Sequence, residues 1–220
     1  MITLNKANYL FPSNCEFYSK DVSQLGSLLT GCKYDVIVID PPWLNKAVRR
    51  KKLKNNNGYQ MMSNDHLADI PIQSLLSDEG ILIVWCTNSL SHMKALTEDI
   101  FEKWNVKLAA KWFWLKVTKS GEPIINFTEP PAKLPFEQII IATKATYTNE
   151  LLTKSNRKII VSIPSAIHSH KPPLEEVVRP YMKGKDGKKL EVFARYLLPG
   201  WTSFGWEVLR LQHECLYNCS

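Results

Sequence analysis

Apolar residues fall in three short unbroken runs: KYDVIVI over 33–39, GILIVWC over 80–86 and QIIIAT over 138–143. Runs of this length, rich in β-branched residues and apolar at odd and even positions alike, predict strands buried on both faces, as in a parallel or mixed sheet. The first run is stopped by Asp40-Pro41-Pro42, since neither proline can donate to a strand ladder. The second follows a turn-like Ser77-Asp78-Glu79-Gly80, and the third follows Pro135. Between them, Met93, Leu96, Ile100, Phe101 and Trp104 recur at helical spacing, which predicts a helix from Ser91 to Trp104 packed on the sheet. Further on, 158–162 reads as a strand, 174–183 as a helix opened by Pro172 and Pro173, and 190–194 as a strand after a Gly-Lys-Asp-Gly turn. This alternation predicts one α/β domain over 1–220, with ligands bound beyond the carboxyl ends of the strands. Segments 46–59 and 121–135, the latter with four of the 13 prolines, read as loops of the kind that bind or cover a substrate.

Composition narrows the function. With 220 residues, 45% hydrophobic and 22% charged, the chain has an ordinary globular balance and length for one core. Lys and Arg number 28 against 21 Asp and Glu, a formal charge of +7, which favours a polyanionic partner such as nucleic acid. No apolar run approaches the ~20 residues of a membrane span, so no membrane association is expected. The opening MITLNKANYLFPSN has no charged region followed by an apolar one, so no secretory signal is expected. Five cysteines, an odd count without a CxxC pair, point to a reducing compartment, the nucleus or the cytoplasm. Neither Cys215 and Cys219 with His213 nor His168 with His170 matches a zinc spacing, so no metal is expected.

The strongest chemical signal is Asp40-Pro41-Pro42-Trp43 at a predicted strand end. It places a carboxylate, a stiff turn and an exposed flat aromatic within four residues. Such a device suits a planar heterocycle with an amino group: Trp43 offers a stacking face, while the Asp40 carboxylate and Pro41 carbonyl accept from the two N–H protons. Four residues alone allow an equally simple reading, a strand ended by prolines with Trp43 in the core.

The tetrapeptide recurs here with separated blocks: Tyr9-Leu-Phe-Pro12, Asn45-Lys46, Trp112 to Val117, Ser169-His-Lys-Pro-Pro173, Leu190 to Arg195 and Pro199-Gly-Trp-Thr-Ser203. Together they resemble the adenine amino-methyltransferases of the mRNA methyltransferase type, S-adenosylmethionine users that carry DPPW where related DNA enzymes carry NPPY or DPPY. The combination looks like the branch called methyltransferase-like protein four. The resemblance implies a Rossmann-like methyltransferase fold, a mostly parallel sheet with helices on both faces, in which the catalytic motif precedes the cofactor-binding half.

Position by position, it implies that Asp40, Pro41, Pro42 and Trp43 are catalytic, and that Asp21 with the backbone of Val22 holds the cofactor adenine. It further implies that Asp40 and Lys171 lie near the methionine moiety, with Phe193 and Arg195 around the ribose. The family carries an asparagine where this chain has Trp206, so Glu207 is the expected replacement for that ribose contact. Leu44 replaces the polar residue that usually follows the motif. On the substrate side the resemblance implies Trp43, Tyr59 and Glu137, and Asn45, Lys46, Arg49, Arg50 and His170 are further candidates. Simpler readings compete: Asp21 as a helix cap, Lys171 and Arg195 as surface charges, Phe193 as core.

Methyl transfer chiefly needs alignment, which can supply on the order of 7–11 kcal/mol, with Asp40 ionised to accept from the amine. An adenine inside a duplex cannot reach such a pocket, so the strand must be single, looped or flipped. The implied function is methylation of the N6 amine of adenosine in RNA, in particular a small nuclear RNA and an adenosine already methylated on its ribose. DNA adenine methylation and a non-catalytic RNA-binding subunit are the alternatives, and a monomer is favoured over a hetero-oligomer. Six basic residues, Lys46, Arg49, Arg50, Lys51, Lys52 and Lys54, directly follow the motif, where a phosphate backbone would pass. Changing all six to glutamine should weaken RNA binding and flatten the slope of log affinity against log salt, measured by fluorescence anisotropy, while leaving cofactor affinity intact.

Overall fold

Side-chain alternation assigns the buried strands to two separate cores. The computed structural model describes residues 1–4, 6–44, 62–128, 133–167, 170–184 and 187–217. Its strands are β1 (Ile2–Leu4), β2 (Ala7–Tyr9), β3 (Glu16–Tyr18), β4 (Tyr34–Ile39), β5 (Leu76–Cys86), β6 (Val106–Lys116), β7 (Phe136–Lys144), β8 (Ile159–Ser162), β9 (Lys189–Val192) and β10 (Thr202–Phe204). The first two pair only with each other; the rest form one sheet in the order β3-β10-β9-β4-β5-β7-β6-β8. Pairing is parallel from β3 through β5, antiparallel on both sides of β7, and parallel between β6 and β8.

On one face Ile37, Ile39, Leu82, Val84, Ile140 and Leu190 pack with Leu25, Leu67, Leu96, Phe101 and Trp104 from helical segments. On the other face Val36, Val38, Ile81, Ile83, Trp85, Trp112, Trp114 and Ile139 pack with Leu152, Leu174, Val178 and Tyr181. Helices therefore cover both faces of a mixed, mostly parallel sheet, which bears out the α/β reading.

Element boundaries differ from the sequence reading for identifiable reasons. The turn expected at 77–80 is strand: β5 starts at Leu76 opposite Tyr34, and the register shifts before Val36 meets Ile81. The Ser77 hydroxyl donates to Asp35 Oδ1 (2.8 Å) across this irregularity. The helix expected over 91–104 runs 90–103 with a wide π-type stretch at Ala95–Ile100. The one expected over 174–183 shortens to Glu175–Val178 and a tight turn Arg179–Tyr181, where Pro180 has no N–H to offer. Strand β6 was not among the predicted elements, because Lys107, Lys111 and Lys116 interrupt its apolar positions; its tryptophans are buried, while Lys107 is exposed and Lys116 lies over Trp114 in the site.

The ends of β9 and β10 meet too closely for any side chain on Gly205: a Cβ there would lie 3.0 Å from both the amide nitrogen and the carbonyl oxygen of Ala194. Backbone cannot yield as a flexible side chain would. Gly205→Ala should therefore cost roughly 1–3 kcal/mol, read as a lower urea midpoint at unchanged m-value.

Candidate active site

Parallel pairing gathers the carboxyl ends of β3, β10, β9, β4 and β5 along one edge of the sheet, and antiparallel β7 begins at that edge where its partner β6 ends. Asp40 follows β4, Glu137 opens β7 and Lys116 closes β6, so three residues distant in sequence converge. Lys171 joins them from the segment between β8 and β9. Its ammonium is paired with Glu137, stands 3.8 Å from Asp40 Oδ1, and lies 5.0 Å from the ring centre of Trp85 and 5.9 Å from that of Trp114. Lys116 pairs with the other oxygen of Glu137 and lies over Trp114 at 4.6 Å. The surface-charge reading of Lys171 is thereby overturned: only 16% of its side chain is exposed.

Burial acts on both carboxylates, with opposite outcomes. For Glu137, the nearby Lys171 charge and the hydrogen bonds from Lys116 and Lys171 outweigh burial and hold its carboxyl below the usual range. For Asp40, burial wins: its carboxyl is pushed up, Lys171 pulls it back, and Glu137 adds to the rise. Ionisation of Asp40 thus depends on its lysine neighbour.

The motif itself is a tight turn. Trp43 N–H donates to the Pro41 carbonyl at 2.8 Å, and Met62 N–H to the Pro42 carbonyl at 3.1 Å. A carbonyl oxygen has two lone pairs, so Pro41 retains one for a ligand amine. The freely exposed Trp43 expected from sequence is corrected here. Its Nε1 donates to the Trp85 carbonyl (2.9 Å), and one ring face stacks on His92 with centroids 5.1 Å apart and planes at 20°. His92 thus occupies one face of a half-buried indole that also packs against the core.

A polar residue that sequence reading missed, Glu191, feels the charge of Asp40. Glu191, inside β9, pairs in register with Val38 of β4 and Ser203 of β10. It is 7% exposed, and its Oε2, like the Ser203 hydroxyl, has no hydrogen-bond partner among the described residues. Burial, with the Asp40 charge adding to it, pushes the Glu191 carboxyl up to about 8. The signal was available: a lone acid between Leu190 and Val192 in a strand that otherwise reads as core.

Along the same edge, Asp21 does act as a cap, accepting from Ser23 N (2.9 Å) and Ser23 Oγ (2.6 Å), which lowers its pKa. Only one oxygen is used, so capping and ligand binding are compatible; Val22 opens the capped turn. Phe193 has φ of 62°, a left-handed conformation costly for a bulky side chain, at the bend that turns the chain toward Arg195. Arg195 Nε lies 3.4 Å from Glu207 Oε2, and Glu207 also pairs with Arg210. Glu207 is therefore tied between two guanidinium groups, while Trp206 is 76% exposed over a surface cavity it shares with Tyr9, Arg210 and His213. His170 packs edge-on against Tyr196 at 4.7 Å, and the Tyr196 hydroxyl donates to the Lys171 carbonyl (3.2 Å). Asn45, Lys46, Arg49, Arg50 and Tyr59 lie outside the described residues.

This arrangement can hold an amine between acceptors beside a stacking surface, next to a lysine able to meet a carboxylate. The MT-A70 family model matches residues 34–207. The N(6)-adenine-specific methyltransferase METTL4 of Homo sapiens is 40% identical, over 97% of this chain and 46% of that protein. The N6-methyladenosine RNA methyltransferase MTA1 of Pyricularia oryzae is 33% identical over 95% of this chain and 56% of its own length. The DNA N6-methyl methyltransferase of Caenorhabditis elegans is 32% identical over 96% and 56%. The chain spans about half the length of these relatives.

Glu191 makes stability depend on pH with a defined sign. Its ordinary pKa is 4.5 and its folded value about 8, so between these limits the unfolded chain releases a proton that the folded one keeps. The stability that protonation contributes is complete below 4.5 and lost as pH rises through 8. Urea unfolding should show this decline, on the order of 3–5 kcal/mol, and Glu191→Gln should abolish it; parallel curves for the two proteins would contradict it.

Proposed function

The chain belongs to the MT-A70 family, and on that premise we propose that it methylates the N6 amine of adenine in a nucleic-acid strand, RNA being the favoured substrate. The observation that carries this reading is the Asp40, Lys171 and Glu137 cluster at the end of β4, beside a Trp43 whose indole is held by a stack on His92. S-adenosylmethionine, when bound, supplies the electrophilic methyl group. The residues present fit it: the carboxyl ends of β3, β10, β9 and β4 provide a polar row from Asp21 to Lys171, and buried Glu191 Oε2 lacks a partner that a ligand ammonium would supply. Lys171 would meet the methionine carboxylate, Glu191 and Asp40 the ammonium, and Arg195 with Glu207 the ribose.

For the substrate, the ionised Asp40 carboxylate and the open lone pair of the Pro41 carbonyl accept from the two N–H groups of the amine. Holding both protons in the ring plane turns the nitrogen lone pair out of that plane, toward the methyl donor. Trp43 fixes the plane of the base. The nitrogen gains a methyl group and sheds one proton, which Asp40 or water accepts, so no strong general base is needed. Placement is the main contribution of the protein, and a misplaced base costs about 100-fold in rate.

RNA is favoured over DNA because the basic stretch beside the motif suits a single strand with accessible bases, and the resemblance to the methyltransferase-like protein four branch points to small nuclear RNA, including an adenosine methylated on its ribose. Relatives named for RNA and for DNA methylation are about equally similar, so the experiment must offer both. After incubation with labelled cofactor, mass spectrometry of nucleosides should find N6-methyladenosine from RNA. Asp40→Asn and Trp43→Ala should each lower it by roughly 100-fold or more. Product from DNA alone would reverse the substrate preference. Product from neither, with no heat of S-adenosylmethionine binding, would favour a non-catalytic RNA-binding subunit.

A further inference from the structure

His92 belongs to none of the roles above, yet it makes two contacts with the turn that holds Trp43 and one with the turn after β5. It lies in the first helical turn after β5. Its ring stacks on the indole at 5.1 Å and 20°. Its Nδ1 is 3.1 Å from the Thr87 hydroxyl oxygen, and the ring also hydrogen-bonds the backbone of Leu44, the residue after the motif. The directions of these bonds follow from chemistry. The Thr87 hydroxyl already accepts from the Ser89 amide (3.3 Å), so its proton is free to go to Nδ1. The Leu44 carbonyl can only accept, so the other ring nitrogen donates to it. One neutral tautomer satisfies all of these contacts.

The turn after β5 is itself anchored. Asn88 donates to the Phe136 carbonyl at 2.7 Å, and Gln138 Nε2 reaches the Thr87 carbonyl and Asn88 Oδ1. The Trp43 indole donates to the Trp85 carbonyl on the same strand. Besides its packing against the core, the indole is thus restrained from the end of β5, and His92 links the motif turn to the turn after β5.

We propose that His92 is a positioning residue: stacked on Trp43 and bonded to Thr87 and Leu44, it fixes the indole plane against which the substrate base packs and takes up one ring face, so that a base would have to stack on the other. This rests on the functional reading above and extends it to base placement. His92 touches neither cofactor nor reacting atoms in this scheme, so its loss should separate substrate from cofactor effects.

The test uses methyl transfer to a single-stranded RNA oligonucleotide containing one adenosine, with S-adenosylhomocysteine affinity measured by calorimetry. His92→Ala should lower kcat/KM for the RNA by about tenfold or more, while S-adenosylhomocysteine binds within about twofold of wild type. His92→Phe, which keeps a stacking ring and loses both hydrogen bonds, should recover most of that loss, and Thr87→Val should fall between wild type and His92→Ala. Unchanged RNA kinetics in His92→Ala would overturn the proposal, as would equal losses of RNA and cofactor function or a His92→Phe no better than His92→Ala. Should His92→Ala fail to fold, His92→Phe and Thr87→Val decide: wild-type kinetics in Thr87→Val with tenfold loss in His92→Phe would overturn a stacking role. A wild-type chain that transfers no methyl group brings down the functional reading and this proposal together, whereas an active wild type matched by His92→Ala brings down this proposal alone.

Discussion

An ammonium group withdrawn from water costs several kcal/mol unless charge and polarisable surface replace its hydration, and Lys171 is held under that constraint. Glu137 and Asp40 supply the charge, and the faces of Trp85 and Trp114 supply the polarisable surface. These partners come from β4, β5, β6 and β7, so the lysine can be accommodated only when four strands are in register. The site is in this sense a readout of correct sheet assembly. The same placement sets the protonation of Asp40, which burial alone would disfavour as an anion.

The other half of the edge is governed by backbone proximity. Phe193 at positive φ and the contact of Gly205 with Ala194 bring the ends of β9 and β10 together and aim Arg195 at Glu207. Strain of this kind persists only where surrounding packing fixes it, and here Phe204 and Val192 are fully buried beneath it.

Much of this was legible in the sequence because the buried strands announce themselves as unbroken apolar runs and because DPP ends one of them. The legible half of the site was the part contiguous in sequence, Asp40 to Trp43, together with residues implied by resemblance such as Lys171 and Glu137. Glu191 was hidden because an acid in an apolar strand becomes meaningful only once its neighbours are known. His92 was hidden because it lies in an amphipathic helix pattern, and nothing in spacing says that it meets Trp43. Strand β6 was obscured by the lysines interspersed among its tryptophans, and Trp43 looked exposed because a four-residue motif carries no information about what packs behind it.

The antiparallel placement of β7 gives the wall of the site an unusual freedom to change. Glu137 and Lys116 stand at the two feet of a single connection, residues 117–135, whose feet are locked by the pairing of Leu115 with Phe136. Lengthening such a connection costs little, about 0.6 kcal/mol per doubling. The charged pair at its base stays fixed by the ladder. Related chains can therefore vary the size and chemistry of this flank over generations, adjusting which strands gain access, without disturbing the acid and lysine that the reaction centre requires.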